Sequence, residues 1–327
     1  MTKAPACGLR RRKTVKGVAG DAVVRTHGLT KYYGKQRGIE DLNLEVLAGE
    51  VFGFLGPNGA GKTTTIRMLL GLLHPTRGTA EVFGLDTERD GVRVRRQVGY
   101  LPGDLSMYEN MHAIEFLDFM ARMRGGVPSA AIAKLAERLD LDLSRHIHDL
   151  SKGNRQKLGV VQAFMHEPQL LVLDEPTSGL DPLVQLTFQE LVREATARGA
   201  SVFLSSHVLA EVEQLAGRVG IVVDGHLAVV ERVSTLKERA IRRLDLDFGV
   251  PVDPAFLTGV TGIRDVNQHG SVISCVVTGH VTELLRAAAA AGVQNVVSHE
   301  PDLEEIFLDY VGGGEGRAGH VDSQNLA

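Results

Sequence analysis

The stretch Gly56-Pro57-Asn58-Gly59-Ala60-Gly61-Lys62-Thr63 limits what this chain can become more than any other. It fits G-x-x-x-x-G-K-[ST], and its setting is the one that pattern requires. Before it, Val51-Phe52-Gly53-Phe54-Leu55 is a nearly continuous apolar run, which suits a strand covered on both faces. After it, Ile66, Leu69, Leu70 and Leu73 recur at helical spacing. Glycines let backbone N–H groups turn inward, and the start of the helix adds its positive dipole end. Such a loop surrounds phosphates. Lys62 is placed to reach the β- and γ-phosphates and the Thr63 hydroxyl to ligate Mg²⁺, with Thr64 next in the phosphate-facing set. The loop by itself implies only that a nucleotide phosphate is bound. The sequence has no Asn-Lys-x-Asp stretch to select guanine, so ATP is the expected nucleotide.

A second signal lies downstream. Leu170-Leu171-Val172-Leu173-Asp174-Glu175 is an apolar strand that ends in two acids. Asp174 is positioned to hold Mg²⁺ through its water shell. If strand geometry persists, Glu175 points the other way, and it is the natural group to polarise an attacking water.

Further strands are expected at Asp41-Leu42-Asn43-Leu44-Glu45-Val46, which alternates with period two, at Ala200-Ser201-Val202-Phe203-Leu204 and at Gly220-Ile221-Val222-Val223. A turn is expected at Lys31-Tyr32-Tyr33-Gly34. Residues 107–148 read as helical, with breaks at Gly125-Gly126 and Pro128. Strands alternating with helices imply a mainly parallel sheet. The 327 residues suffice for one large α/β domain and a smaller one. Composition shifts near Glu231. Beyond it, strands are expected at 244–248, 272–277 and 295–298, helices at 281–291 and 303–311, and a flexible tail from Gly312-Gly313-Gly314.

A net charge of −4 gives no global reason to expect nucleic-acid binding. The local cluster Arg10-Arg11-Arg12-Lys13 reads as part of a disordered tail, with contact to anionic lipid as the alternative. Two cysteines, Cys7 and Cys275, sit in no metal spacing and fit a reducing compartment. No apolar run reaches the ~18 residues of a spanning helix. The segment Val18-Ala19-Gly20-Asp21 is too short and polar for a signal-peptide core. His146-x-His148 reads as solvated helix-end residues rather than a metal pair, since no third ligand is evident.

Between the two phosphate-site signals lies Leu150-Ser151-Lys152-Gly153-Asn154-Arg155-Gln156, which resembles the LSGGQ signature of ABC (ATP-binding cassette) transporter ATPases. Ser151 opens a helix, so its hydroxyl and the helix-end N–H groups form an anion site, and Gly153 permits close backbone approach. Other matches follow the family's order. Tyr33, followed by Gly34, resembles the aromatic that stacks on adenine. Pro176-Thr177 leads into Ser178-Gly179-Leu180-Asp181, similar to the D-loop. His207, after Leu204-Ser205-Ser206, resembles the switch histidine. The resemblance covers residues 22–230. It departs at Val98-Gly99-Tyr100-Leu101-Pro102-Gly103, where the family's Q-loop glutamine is replaced by Gly103. Asp104 then becomes the candidate to take over part of the metal contact, against a bland role in opening the next loop. Lys152 and Asn154 also depart, but the Ser-x-Gly core survives.

The resemblance implies a P-loop α/β cassette at 21–231, with a mainly parallel core sheet, an antiparallel β subdomain and a helical subdomain at about 104–165. It also implies an accessory α/β domain at 232–312 and tails at 1–20 and 313–327. The implied mechanism is ATP hydrolysis with Mg²⁺ held by Thr63 and Asp174, Glu175 activating water and His207 positioning the γ-phosphate. A second copy docks head to tail and supplies Ser151 and Gly153, with Asp181 at the interface. Together with Asp302-Leu303-Glu304-Glu305-Ile306-Phe307, the departures resemble bacterial ABC-2-type exporters, drug and antibiotic efflux systems included. The implied partners are membrane-spanning permease subunits at the cytoplasmic face of the membrane, and no nucleic acid. A soluble ABC ATPase that moves no solute is the alternative, but such chains carry two cassettes or a long coiled coil. An unrelated P-loop kinase or GTPase lacks the signature, D-loop and switch histidine.

Overall fold

The computed structural model describes residues 22–239, 242–277 and 281–299. The expected helix at 303–311, both tails, Cys7 and the motif at 302–307 lie outside them. The chain opens with β1 (Ala22–Tyr33) and β2 (Gln36–Leu47), then β3 (Val51–Leu55) and α1 (Lys62–Leu69). Next come β4 (Arg77–Val82), β5 (Leu85–Asp86), α2 (Gly91–Gln97) and β6 (Val98–Leu101). Three helices follow, α3 (Ala113–Met123), α4 (Ser129–Arg138) and α5 (Lys152–Phe164). The remaining elements of the first part are β7 (Leu170–Asp174), α6 (Pro182–Ala197), β8 (Ser201–Ser206), α7 (Leu209–Leu215), β9 (Arg218–Val223), β10 (His226–Arg232) and α8 (Val233–Arg239).

Two sheets are built from these strands. One is antiparallel, in the order β2-β1-β4-β5. The other runs β10-β9-β3-β8-β7-β6, with β9, β3, β8, β7 and β6 parallel and β10 antiparallel at the edge. The parallel sheet is covered on both faces, which is why its strands read as continuous apolar runs. Side chains alternate between the two coverings. Leu171, Leu173, Val202 and Leu204 pack with the helical layer that holds Leu158, Val161, Phe188 and Val192. Leu170, Val172, Phe203, Phe52 and Phe54 pack against α1 and the antiparallel sheet, through Ile66, Leu69, Leu42, Leu44 and Val46.

A third sheet, of β11 (Arg242–Asp247), β12 (Ile263–His269), β13 (Val272–Val277) and β14 (Asn295–His299), has the order β12-β13-β11-β14. It carries α9 (Thr282–Ala290) and a core of its own, with Leu244, Leu246, Phe248, Ile273 and Leu284. Cys275 is a buried free thiol in that core, and burial raises its pKa.

Three expectations need adjustment. The turn placed at 31–34 begins later, because β1 stays paired to β2 as far as Tyr33 and Gly34 takes the bend at φ +60°. The helical stretch at 107–148 contains α3 and α4, separated where Gly125 and Gly126 both adopt positive φ and Pro128 precedes α4. It ends in a short 3₁₀ turn, Ile147–Asp149. β12 was not anticipated, since Arg264, Asp265, Val266, Asn267, Gln268 and His269 are all exposed and give no period-two apolar pattern.

Candidate functional site

β3, β8 and β7 are neighbours in the parallel sheet, and the loops at their carboxyl ends carry the site. The phosphate loop leaves β3 and closes at Gly61, which caps α1 at φ +106°. A methyl group on Gly61 would lie 2.3 Å from the Gly38 carbonyl oxygen of β2, so only glycine fits there. Lys62 is 6% exposed; its ammonium donates to the carbonyls of Gly56 at 2.7 Å and Pro57 at 3.3 Å. It also lies 3.4 Å from Glu175 Oε1.

Asp174 ends β7 and is fully buried, so its charge needs partners. The Thr63 hydroxyl donates to Oδ2 at 2.8 Å, and the Ser205 hydroxyl donates to Oδ1. Ser205 sits directly across the strand pair from Asp174. Nearby on β6, burial first and the negative charge of Asp174 second push the Tyr100 hydroxyl up to about 12.

Glu175 does not continue the strand, contrary to expectation. Its φ is +50°, a left-handed conformation that costs a side-chain-bearing residue on the order of 1–2 kcal/mol. The Glu175 N–H donates to the Ser205 carbonyl at 3.0 Å, which holds the bend. The two acids therefore part by a break in the strand rather than by alternation. Glu175 Oε2 lies 2.7 Å from His207 Nδ1, so the carboxylate bridges His207 and Lys62. Gln156, buried on α5, donates to the carbonyls of Pro176 at 2.8 Å and Glu175 at 3.3 Å. The Thr177 hydroxyl donates to Glu211 on α7. Burial, then Glu175, raise the pKa of Glu211, against the lowering effect of that hydrogen bond.

Gly103 faces this cluster: a methyl group there would come 3.4 Å from Asp174 Oδ2. Asp104 is exposed in the following loop. Tyr33 is 46% exposed, its hydroxyl 3.4 Å from Thr64 Oγ1 and the Lys31 ammonium 5.6 Å from its ring centre. Pro57, Asn58, Gly59 and Ala60 form the body of the loop, and the Ala60 N–H donates to Pro57 O at 3.1 Å.

Ser151 and Asp181 stand apart from this cluster as helix caps. The exposed Ser151 hydroxyl accepts from Asn154 N–H at 3.2 Å at the start of α5. Asp181 accepts from Val184 N–H at 3.0 Å at the start of α6. Gly153 packs on the backbone of Gly179, whose carbonyl would lie 2.7 Å from a methyl at 153. Leu183 and Leu186, just beyond Asp181, are exposed apolar side chains. The histidine pair has a third member that sequence reading missed. His112 stacks on His146 with ring centres 3.7 Å apart, and the rings lie parallel rather than converging on a shared point.

The site-building residues that sequence reading passed over are Ser205, Gln156 and Glu211. A polar residue inside a buried strand such as β8 is itself a signal that a hydrogen-bond partner lies opposite. Gln156 and Glu211 gave no comparable signal, since both sit on ordinary amphipathic helices.

Comparison with known proteins agrees with this geometry. Residues 39–178 match the ABC transporter family. The bacitracin transport ATP-binding protein BcrA of Bacillus licheniformis is 35% identical over 300 residues, 89% of this chain and 98% of that protein. The daunorubicin resistance ATP-binding protein DrrA3 of Streptomyces coeruleorubidus is 34% identical over 309 residues, 89% of this chain and 96% of that one. A solved ATP-binding subunit of an ABC transporter superposes with a TM-score of 0.61 at 32% identity, covering 66% of this chain and 92% of that one. Among the described residues no helix is long and apolar enough to cross a membrane. This chain belongs to the ABC transporter family, as one of its ATP-binding, ATP-hydrolysing subunits.

Proposed function

We propose that this subunit powers export of an antibiotic or other drug-like cargo through separate membrane-spanning ABC-2-type permease subunits, from the cytoplasmic face of the membrane. The likeness to the bacitracin transport relative carries this reading, because it spans 98% of that protein and runs past the cassette itself. The chain reads as a cassette that runs through α8, later than the expected boundary at 231 because Val233 and Leu236 pack into the cassette core, and an accessory domain that begins at β11 and holds a sheet and core of its own.

The nucleotide site supports the following division of labour. Residues 56–64 wrap the phosphates, and Tyr33 stacks on adenine. Lys62 moves its ammonium from the Gly56 carbonyl to the β- and γ-phosphates. Thr63 Oγ1 and Asp174 Oδ2 are hard oxygen donors side by side, the chemistry that suits Mg²⁺. These two residues would hold Mg²⁺, whose positive charge would offset that of the phosphates. Glu175 takes a proton from the attacking water, and His207, hydrogen-bonded to Glu175, orients the γ-phosphate. Ser151 and Gly153 lie at an outward-facing helix start, which fits the γ-phosphate of a second copy docked head to tail. Exposed Leu183 and Leu186 beside Asp181 suit the same interface.

Asp104, next to the Gly103 that faces Asp174, would stand in for the missing Q-loop side chain and help to hold Mg²⁺. Asp104→Ala is expected to raise the Mg²⁺ concentration for half-maximal turnover by about tenfold. A Mg²⁺ titration that superposes on that of the parent removes Asp104 from the site.

The export reading is tested by recovering tagged Glu175→Gln protein, with ATP and Mg²⁺, from solubilised membranes of its host. Co-purification of a multi-span membrane protein is the expected outcome. Recovery of soluble partners alone overturns transport and leaves a soluble ABC ATPase.

A further inference from the structure

Gln156 has no part in the division of labour above, yet it is the side chain that joins the signature helix to the catalytic backbone. It is 4% exposed, and its amide donates to Pro176 O at 2.8 Å and Glu175 O at 3.3 Å. Its helix, α5, is capped by Ser151, an exposed residue whose hydroxyl accepts from Asn154 N–H. Glu175 sits at the other end of this contact, in a left-handed conformation that does not hold itself.

We infer that Gln156 is a positioning residue that couples the two ATP sites of the closed dimer, setting Glu175 according to whether the signature of the same chain has engaged the γ-phosphate bound by its partner. This rests on the head-to-tail reading above. The physical route is short. α5 is stiffened along its length by buried Leu158, Val160, Val161 and Phe164. A shift at its N-terminus therefore moves the helix as a body rather than bending it. Gln156 lies five positions in and grips the two carbonyls that follow the catalytic carboxylate. The carbonyl of Glu175 also accepts from Ser178 N–H at 3.2 Å, so the amide acts on a turn already closed on itself. Moving that turn changes the direction in which the Glu175 side chain leaves it.

A second tether fixes the far side. Thr177, two residues beyond Glu175, is bound to Glu211 on α7, the helix that follows His207. Residues 175–177 are thus held between α5, which senses the nucleotide of the partner, and α7, which follows the histidine of the chain's own site. Of these two ties only Gln156 originates on the helix that faces the other nucleotide. Each chain would then hydrolyse its own ATP only once its signature is filled, which makes turnover cooperative without any direct contact between the two ATP molecules.

The test uses the full chain carrying Gln156→Met, which keeps the length of the side chain in its buried slot and removes the donor. Turnover is measured against ATP concentration, alongside the melting midpoint. ATP-driven dimerisation is followed in the Glu175→Gln background. Turnover at saturating ATP is expected to fall on the order of a hundredfold, as for a misplaced reacting group. The KM for ATP and the dimerisation should hold, while the Hill coefficient drops from about 2 to about 1. Gln156→His, which keeps a ring N–H donor, should regain turnover to within about tenfold of the parent.

Parent-like turnover and Hill coefficient in Gln156→Met overturn the inference. So does an equal loss in the Met and His variants together with a lowered melting midpoint, which assigns Gln156 to packing. If Glu175→Gln protein with intact Gln156 stays monomeric in ATP, the head-to-tail reading itself falls and takes the coupling with it, a result distinct from the other two.

Discussion

Replacing Glu175 with glutamine is expected to lower ATP turnover by on the order of 10²–10⁴-fold, the range for removing a general base. That corresponds to about 3–5.5 kcal/mol of transition-state stabilisation. The substitution keeps shape and length. An amide oxygen still accepts from the Lys62 ammonium 3.4 Å away, and the amide still meets His207. Folding and ATP affinity should therefore be close to those of the parent. What is lost is the capacity to take a proton from water. Single-turnover hydrolysis beside equilibrium binding of ATP separates the two effects. Turnover within about threefold of the parent would move the base elsewhere, with His207 the first group to examine.

Gly61→Ala is expected to abolish ATP binding and to destabilise the cassette. The added methyl meets the Gly38 carbonyl at 2.3 Å, and that obstacle is backbone near the start of β2, paired to β1. The residue would also have to hold φ +106°, which alanine does not adopt without strain. Strain and overpacking together amount to about 3 kcal/mol or more. The melting midpoint should fall by roughly 6 °C or more. The clearer readout is ligand stabilisation. The parent should gain about 2.7 kcal/mol at a nucleotide concentration one hundred times its Kd. The variant should gain nothing, since the loop cannot close around phosphate. An unchanged nucleotide-induced shift in melting would show that the loop accommodates the methyl and that the close approach to Gly38 is not needed for binding.

The parts of the site that could be read from sequence are those made of contiguous residues. The phosphate loop is eight residues in a row between a buried strand and a helix. The Asp174-Glu175 pair ends an unbroken apolar run. Both carry their own context. The contacts that complete the site depend on how separate segments align. Ser205 meets Asp174 only because β7 and β8 pair in one particular register. Gln156 reaches Pro176 only because α5 packs beside the end of β7. The left-handed bend at Glu175 is decided by its hydrogen bond to Ser205 and by no local preference of glutamate. The same logic explains β12. Past Ile263 its residues are exposed on both sides, so pairing with β13 makes it a strand, and no apolar period marks it in advance.

Glu175 and His207 follow directly on β7 and β8, and the phosphate loop that ends at Lys62 follows β3; the three strands lie side by side. Adjacent strands are held about 4.8 Å apart by their backbone ladders. The spacing of Glu175 and His207 is therefore a property of the sheet, and the closed phosphate loop brings Lys62 to within 3.4 Å of Glu175. The long excursion between β6 and β7 carries α3 and α4 outside that frame and returns through α5, which packs on the sheet with Leu158 and Val161. During divergence it can be lengthened, trimmed or resurfaced to suit a different membrane partner while the chemistry stays in place. α5 limits this freedom, since it must still fill the core with Leu158 and Val161 and lay Gln156 against Pro176. A motor built this way can change what it drives without being rebuilt.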